Sequence, residues 1–323
     1  MSIVNKYIIL RECFTGHIKN KNIDLNLTLG VYNYGFWFNG KEGIVILEDK
    51  EPVIAIINIK TRQYKIYSAN KCSDNYIDKL EWTLGLKEDL SEFFKIAKND
   101  LLLSLFATKY SRWRPRSTSL WWSLVIGVCQ QNASFIQGWK MLYNIIKLYN
   151  RAVVINEKKK TIIPLPPSPE HILAEPEILV KARVGYRAKT IVNIAKHILK
   201  ENMETIERTS SVDLEKKLTK IKGIGPYTAR LALVLAFRKY DLPPVDRWLK
   251  KIIALVYNVD ERHAEEVWVD KWGKWSGLAA LAVTITLDAE PLTRALERIK
   301  NRKLLPEDQT SKPTPLNLWR FLK

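Results

Sequence analysis

Cysteine is scarce in this 323-residue sequence: Cys13, Cys72 and Cys129 are the only three, far apart and odd in number. No Cys-x-x-Cys pair and no Cys/His cluster occurs, which excludes the usual zinc knuckle. Three cysteines cannot supply the four thiolates of an iron–sulfur cluster. Thiols scattered in this way fit a reducing interior. The histidines His17, His171, His197 and His263 form no metal or triad arrangement. No stretch of membrane-spanning length is free of charge, and residues 1–10 contain neither a long apolar run nor a signal cleavage site. Internal repeats and low-complexity blocks are missing. A soluble protein of the cytoplasm (nucleoid-associated) or nucleus, not secreted, is expected.

Acidic residues are outnumbered, with Asp+Glu 34 against Lys+Arg 52, a net charge of +18 and pI ≈ 9.6. A thermophile surface rich in Lys and Glu explains many charges but not their imbalance. A surplus of this size attracts polyanions, which points to nucleic acid or an anionic membrane. The hydrophobic fraction of 46% allows a core of normal size that needs no disulfide or metal. The length suggests two domains.

Residues 1 to about 76 read as β. Residues 23–29 alternate strictly, 32–38 are aromatic-rich, Gly40 to Gly43 is a turn, and 44–47, 53–59 and 64–67 are short apolar runs. Turn signals between them predict an antiparallel sheet. Residues 77–105 read as helical, and 122–148 as a long helical region. Residues 151–165, with Glu157-Lys-Lys-Lys, read as a loop or short hairpin. Ser168-Pro169-Glu170 starts a helix, Pro176 opens another, and a third runs from Gly185 to about residue 201. Further helices are predicted over 210–221, 228–238, 247–256, 264–272, 278–287 and 291–300, with a polar, Pro-rich tail from about 303. The expected fold class is therefore α+β: a β-rich domain over 1–106, then an all-helical domain over 107–323.

The most specific local signal is Leu214-x3-Leu218-x2-Ile221-Lys222-Gly223-Ile224-Gly225-Pro226-Tyr227-Thr-Ala. Helical periodicity stops at Ile221 and resumes at Thr228. Two glycines between them permit a tight reversal. The N–H groups of such a turn and of the next helix start form an anion site that a DNA phosphate fits without any base contact. A bare Gly-x-Gly would equally be an ordinary glycine helix end; the full pattern favours the phosphate grip.

Nineteen residues after Tyr227 comes Asp246, in Leu242-Pro-Pro-Val-Asp246-Arg-Trp248. The prolines enforce an extended approach, and Asp246 then stands at a helix start, where Asp is a favoured N-cap. A second role is compatible. Breaking an N-glycosidic bond develops positive charge on the sugar, and a fixed carboxylate stabilises that charge and activates water. The helix N-terminus is expected to keep it ionised.

With hairpin and Pro-Val-Asp246 together, the chain resembles the helix-hairpin-helix (HhH-GPD) DNA glycosylase superfamily. It is more similar to the 8-oxoguanine DNA glycosylases than to the 3-methyladenine DNA glycosylase II group. Cys129-Gln-Gln131-Asn132, Gly185-Tyr186-Arg187-Ala-Lys189 and Trp272-Gly-Lys-Trp-Ser-Gly277 carry that similarity, over roughly residues 120–290. The resemblance implies an N-terminal antiparallel sheet domain of the TATA-binding-protein-like (TBP-like) type. It makes Asp246 the catalytic aspartate. It places Asn132 where the flipped base leaves a gap, Tyr186 in the base stack, and Arg187 on the orphaned partner base, with Gln131 among the DNA-binding residues. It assigns Lys222, Gly223 and Gly225 to DNA binding. The backbone carbonyls of Thr219, Ile221 and Ile224 would hold a monovalent cation, Na+ or K+; no organic cofactor and no iron–sulfur cluster is implied. The partner is double-stranded DNA containing a damaged base, bound by a monomer.

Two departures matter. The nucleophilic lysine of the bifunctional enzymes is here Tyr227, so no Schiff base can form at that position and strand cleavage loses its nucleophile. The pocket glutamine and phenylalanine of the 8-oxoguanine enzymes are here Ala280 and Thr284. The expectation is a monofunctional enzyme that hydrolyses the base–sugar bond, with Tyr227, Ala280, Thr284 and Trp248 lining the base pocket. An oxidised-purine glycosylase with an altered pocket, and a non-catalytic DNA-binding protein, are the rivals. The run Tyr110-Ser-Arg112-Trp-Arg114-Pro-Arg116 suits DNA backbone binding and stacking, or else a solvated linker.

Overall fold

Six strands form one sheet in the order β2-β3-β4-β1-β5-β6: β1 Ile8–His17, β2 Glu42–Glu48, β3 Val53–Asn58, β4 Gln63–Ser68, β5 Ala152–Asn156 and β6 Lys160–Pro164. The computed structural model describes residues 7–156, 160–200, 208–307 and 311–323. Residues 1–6, most of the lysine run at 157 and the helix end read at about 201 lie outside these. The sheet is mixed rather than antiparallel, because β1 pairs parallel with β5 while all other neighbours are antiparallel. The β5–β6 hairpin comes from the helical part of the sequence, so the sheet crosses the expected boundary at residue 106. No polar element separates the two parts: Leu10, Ile54 and Tyr67 of the sheet share one core with Leu124, Leu142, Ile191 and Leu233 of the helices.

Two stretches read as strands are not. Residues 23–29 form α1 (Leu25–Gly30), capped by Asp24, whose carboxylate accepts the Leu27 N–H. Alternation and helical spacing coincide over so short a run, since Leu25 and Leu29 are four apart and both buried. The aromatic segment 32–38 is a turn with a single bridge, Phe38 to Gly43. Its rings pack between layers, with Tyr32 stacked on Trp139 at 5.6 Å between ring centroids.

The next helices are α2 (Asn75–Leu84), α3 (Ser91–Lys98) and α4 (Ser104–Lys109), the last two separated where Asp100 accepts the Leu102 and Leu103 N–H groups. The long helical region is two helices, α5 (Leu120–Gln130) and α6 (Phe135–Tyr149). Asn132, with φ +46°, breaks it, and Ser134 with Gln137 forms a capping box that restarts it. Then come α7 (Pro169–Ala174), α8 (Ile178–Lys181), α9 (Arg187–Ile198), α10 (Ser211–Leu218), α11 (Pro226–Phe237), α12 (Arg247–Tyr257), α13 (Ala264–Trp272), α14 (Ser276–Thr286) and α15 (Leu292–Lys300).

Helix α11 is shared by two lobes. Its Ala229, Ala232, Leu233 and Ala236 enter the core with α5, α6, α9 and α10. Its Leu231 and Val234 enter a second core with α3, α4 and α12–α15, built around the fully buried Trp268 and Trp272. The tail is not loose: residues 311–323 fold back, ending in α16 (Leu318–Phe321). Tyr32 N–H donates to Pro315 and Gly35 N–H to Leu322, while Trp319 packs edge-on against Phe38. Leu318 is fully buried, which explains why a polar sequence is nonetheless ordered.

Cys13 and Cys72 form a disulfide that ties the β1 bulge to the segment after β4, contrary to the expectation of scattered thiols; Cys129 is free and buried. Closing a loop of sequence separation 59 stabilises by about 4 kcal/mol in the chain-entropy description. Thermal melts with and without reductant should therefore show a lower midpoint for the reduced protein. Equal midpoints would mean that the bond contributes nothing in solution.

Candidate functional site

The loop before α12 is fixed from three sides. Arg230 on α11 bonds Glu215 on α10 (2.7 Å), Glu265 on α13 (2.5 Å) and the Pro243 carbonyl (3.4 Å). Ser276 Oγ and the Gly277 N–H both hold the Tyr240 carbonyl. Asp246 ends this loop in extended backbone and caps α12, its Oδ1 accepting the Leu249 N–H at 2.8 Å. The side chain expected to be catalytic is thus also the helix cap.

Asp246 opens onto a cavity of about 1260 Å³ between the two lobes, a usual place for a ligand site. Its surface is reachable through the cleft, yet protein surrounds it. Burial raises its pKa, and N–H groups of Leu249, Asp246 itself and Trp248 only partly offset that. The N–H groups of the helix start favour the ionised form as expected, and burial is the larger influence, acting the other way.

Tyr227, Trp248 and Thr284 line the same cavity. Burial first, then the charge of Asp246, drives the Tyr227 pKa up, so the phenol stays a hydrogen-bond donor. Trp248 is pinned by its indole N–H on the Glu290 carbonyl (2.9 Å). The Thr284 hydroxyl donates back to the Ala280 carbonyl (2.8 Å), which leaves its lone pairs for the cavity. Ala280 itself is buried in the second core and does not line the cavity, because it faces α14's packing side.

Sequence reasoning missed Tyr32 and Asp288. Tyr32 has φ +51° and sits in the cavity wall, where burial raises its pKa. Asp288 and Ala289 have φ +55° and +49° and lie at the cavity's edge. Arg298 holds that turn, donating to the Asp288 carboxylate (2.6 Å) and to the carbonyls of Thr286, Leu305 and Lys303. Paired left-handed non-glycine residues carry no sequence motif.

The second group of site residues gathers on one surface. Gln131 donates to the Gly223 carbonyl (3.1 Å) and to Thr228 Oγ1 (2.7 Å), so the α5–α6 turn is latched onto the hairpin. Asn132 is exposed beside it. Tyr186 is 62% exposed and rests on the Arg187 guanidinium, 4.6 Å from its ring centroid. Arg187, expected on the partner base, does not project from the surface here. It is buried, donating to the carbonyls of Val128 (3.1 Å), Val184 (3.4 Å) and Gln131. Lys222 and Gly223 are exposed, and Gly225 caps α11 with Pro226 at its first position. The Ile221 carbonyl of the candidate cation site accepts the Ile224 N–H (2.9 Å), and Thr219 closes α10.

The arginine run donates to backbone carbonyls of the protein itself. Arg112 donates to the Lys21 carbonyl, Arg114 is buried and donates to Ser111 and Trp113, and Arg116 donates to Val31 and Tyr32. The guanidiniums of Arg112 and Arg116 tie the linker to the N-terminal segment, while that of Arg114 folds back on the linker's own backbone.

No protein-family model matches the chain. It is 26% identical over 213 residues to a DNA-3-methyladenine glycosylase of Bacillus subtilis (strain 168), covering 62% of this chain and 67% of the relative. It is 23% identical over 237 residues to a probable N-glycosylase/DNA lyase of Methanothermobacter thermautotrophicus, covering 63% and 72%. Its fold matches the solved 3-methyladenine DNA glycosylase of Archaeoglobus fulgidus with a TM-score of 0.69 at 20% identity, over 84% of this chain and 97% of the other. It matches the Clostridium acetobutylicum 8-oxoguanine glycosylase/lyase, solved with double-stranded DNA containing cytosine opposite 8-oxoguanine, with a TM-score of 0.65 at 18% identity, over 90% and 98%. The chain thus has DNA glycosylases among its relatives in sequence, and its fold is the one that the 8-oxoguanine and 3-methyladenine glycosylases of the helix-hairpin-helix superfamily share.

Proposed function

We propose that this chain is a DNA N-glycosylase of base excision repair that flips a damaged base into the cavity and hydrolyses its bond to the sugar. The observation that carries this is the position of Asp246, a carboxylate fixed at a helix start and open to a cavity large enough for a base. The surface of Gly223, Gly225, Lys222, Gln131, Asn132 and Tyr186 receives the DNA backbone and the gap in the stack. The carbonyls of Thr219, Ile221 and Ile224 are its candidate seat for Na+ or K+. Asp246 stabilises the sugar cation and takes a proton from the attacking water.

The enzyme is monofunctional in this reading, because Tyr227 offers no amine to the sugar. A lyase reading has one observation in its favour: Lys312 lines the cavity, the only lysine among the described lining residues. Borohydride separates the two. Wild-type protein with lesion DNA should give an abasic strand cut only by hot alkali, and no trapped adduct. Tyr227→Lys should give both a trapped adduct and strand cleavage. An adduct with the wild type that disappears in Lys312→Gln would establish the lyase instead.

A further inference from the structure

Arg116 is in the cavity wall, without a counter-charge among the described residues. One guanidinium nitrogen, Nη2, donates to the carbonyls of Val31 (3.0 Å) and Tyr32 (3.2 Å). Its Nε is buried with no partner. Nη1 makes no hydrogen bond, and no carboxylate pairs with Arg116 among the described residues. The same cavity is lined by Trp113, Trp122, Phe135 and Trp139. Burial lowers its pKa to about 10, so it remains a cation at neutral pH. An unpaired cation in such surroundings is costly. Arg298, by contrast, points its nitrogens at protein acceptors.

Arg116 holds the backbone of Tyr32, and Arg116, Tyr32, Tyr227, Thr284 and Asp246 all line the one cavity. The described lining of the cavity carries the acids Asp246, Asp288, Glu290 and Glu307 and, besides Arg116, the cations Arg294 and Lys312; Arg294 is 3.6 Å from both Glu290 and Glu297.

We propose that Arg116 reads and activates the extruded base, its free Nη1 donating to a ring carbonyl oxygen, so that the substrate is a neutral oxo-base rather than a cationic alkylated one. This rests on the base-excision reading. When the C1′–N bond breaks, its electron pair goes to the base, and the carbonyl oxygen carries negative charge beside the guanidinium. Water adds to C1′, and its proton passes through Asp246 to the departing base. A cationic base leaves neutral, gains nothing from Arg116 and is repelled by it.

Free hypoxanthine and free purine, which lacks the carbonyl oxygen, provide the test by calorimetric titration of the full chain. The wild type should bind hypoxanthine at least roughly tenfold more tightly than purine, the scale of one charged hydrogen bond. Arg116→Lys and Arg116→Gln should bring that ratio near one. If Arg116 is only a clamp on Val31 and Tyr32, both bases weaken equally and the ratio survives, which overturns the proposal. So does equal or undetectable binding of both by the wild type. Arg116→Lys decides the matter if Arg116→Gln fails to fold. In excision from duplexes, Arg116→Lys should slow release of 8-oxoguanine, hypoxanthine or uracil by roughly 10–100-fold. Preferential release of 3-methyladenine, unchanged in Arg116→Lys, overturns the proposal but leaves the base-excision reading standing. Release of no base overturns that reading, and the free-base titration still decides the role of Arg116.

Discussion

Asp246→Asn is expected to slow single-turnover base release by about 10²–10³-fold or more, as loss of a group that stabilises transition-state charge does. Asn retains the cap, since its side-chain oxygen can accept the Leu249 N–H as Asp246 does at 2.8 Å. Fold and DNA affinity should therefore be unchanged. The pH behaviour follows from the sign of the shift. Burial raises the Asp246 pKa above its unfolded value. Its contribution to stability is thus fully present below the ordinary aspartate range and lost as pH rises through the folded value. At neutral pH the ionised carboxylate costs stability, and Asp246→Asn should melt at the same temperature as the wild type or higher, with the difference vanishing in acid. Base release needs the ionised form, so its acid limb should lie above the ordinary aspartate range and be missing from the residual activity of Asp246→Asn. A full-rate Asp246→Asn would remove the carboxylate from the chemistry.

The two hairpin glycines should respond in opposite ways. Gly223 has φ +99°, and a Cβ there would meet Thr190 of α9 at 2.2 Å from Oγ1 and 2.8 Å from Cγ2. Gly223→Ala combines a disfavoured backbone with a clash against a buried β-branched residue, so a loss of about 1–3 kcal/mol in stability is expected. The Gln131 latch on the Gly223 carbonyl would move with it. Gly225 has ordinary backbone, φ −103°, and a Cβ there meets nothing within 4 Å. The protein itself has no need of glycine at 225; a phosphate approaching the first N–H groups of α11 does. Gly225→Val should melt like the wild type, yet bind duplex DNA at least about tenfold more weakly at fixed salt, the loss expected from one charge-assisted contact. Anisotropy titrations beside thermal melts check both. Wild-type affinity in Gly225→Val would show that the hairpin does not grip phosphate.

Much of the site was legible because its chemistry is local. A turn between two helices, and a carboxylate after two prolines, are written in consecutive residues. So were the boundaries of α12 and α13, where caps and periodicity agree. What failed to show was set by distant contacts. The sequence 23–29 satisfies both strand and helix spacing, and only Asp24 at the cap position distinguishes them. The pairing of β1 with β5 joins residues about 145 apart, which no local pattern encodes. Arg116 by composition and Arg187 by resemblance look like DNA contacts, but distant carbonyls, those of Val31 and Val128 among them, receive their guanidiniums. Ala280 and Thr284 were chosen by the same register on α14, and the cavity admits only the second.

The most direct measurement is mass-spectrometric detection of free base after incubating the protein with duplexes that each carry one lesion: 8-oxoguanine, hypoxanthine, uracil, 7-methylguanine or 3-methyladenine. The expected result is release of a base from at least one duplex, by the wild type and not by Asp246→Asn. Tight binding to lesion duplexes with no base released from any of them would contradict it, and would make the chain a DNA-binding protein without glycosylase chemistry.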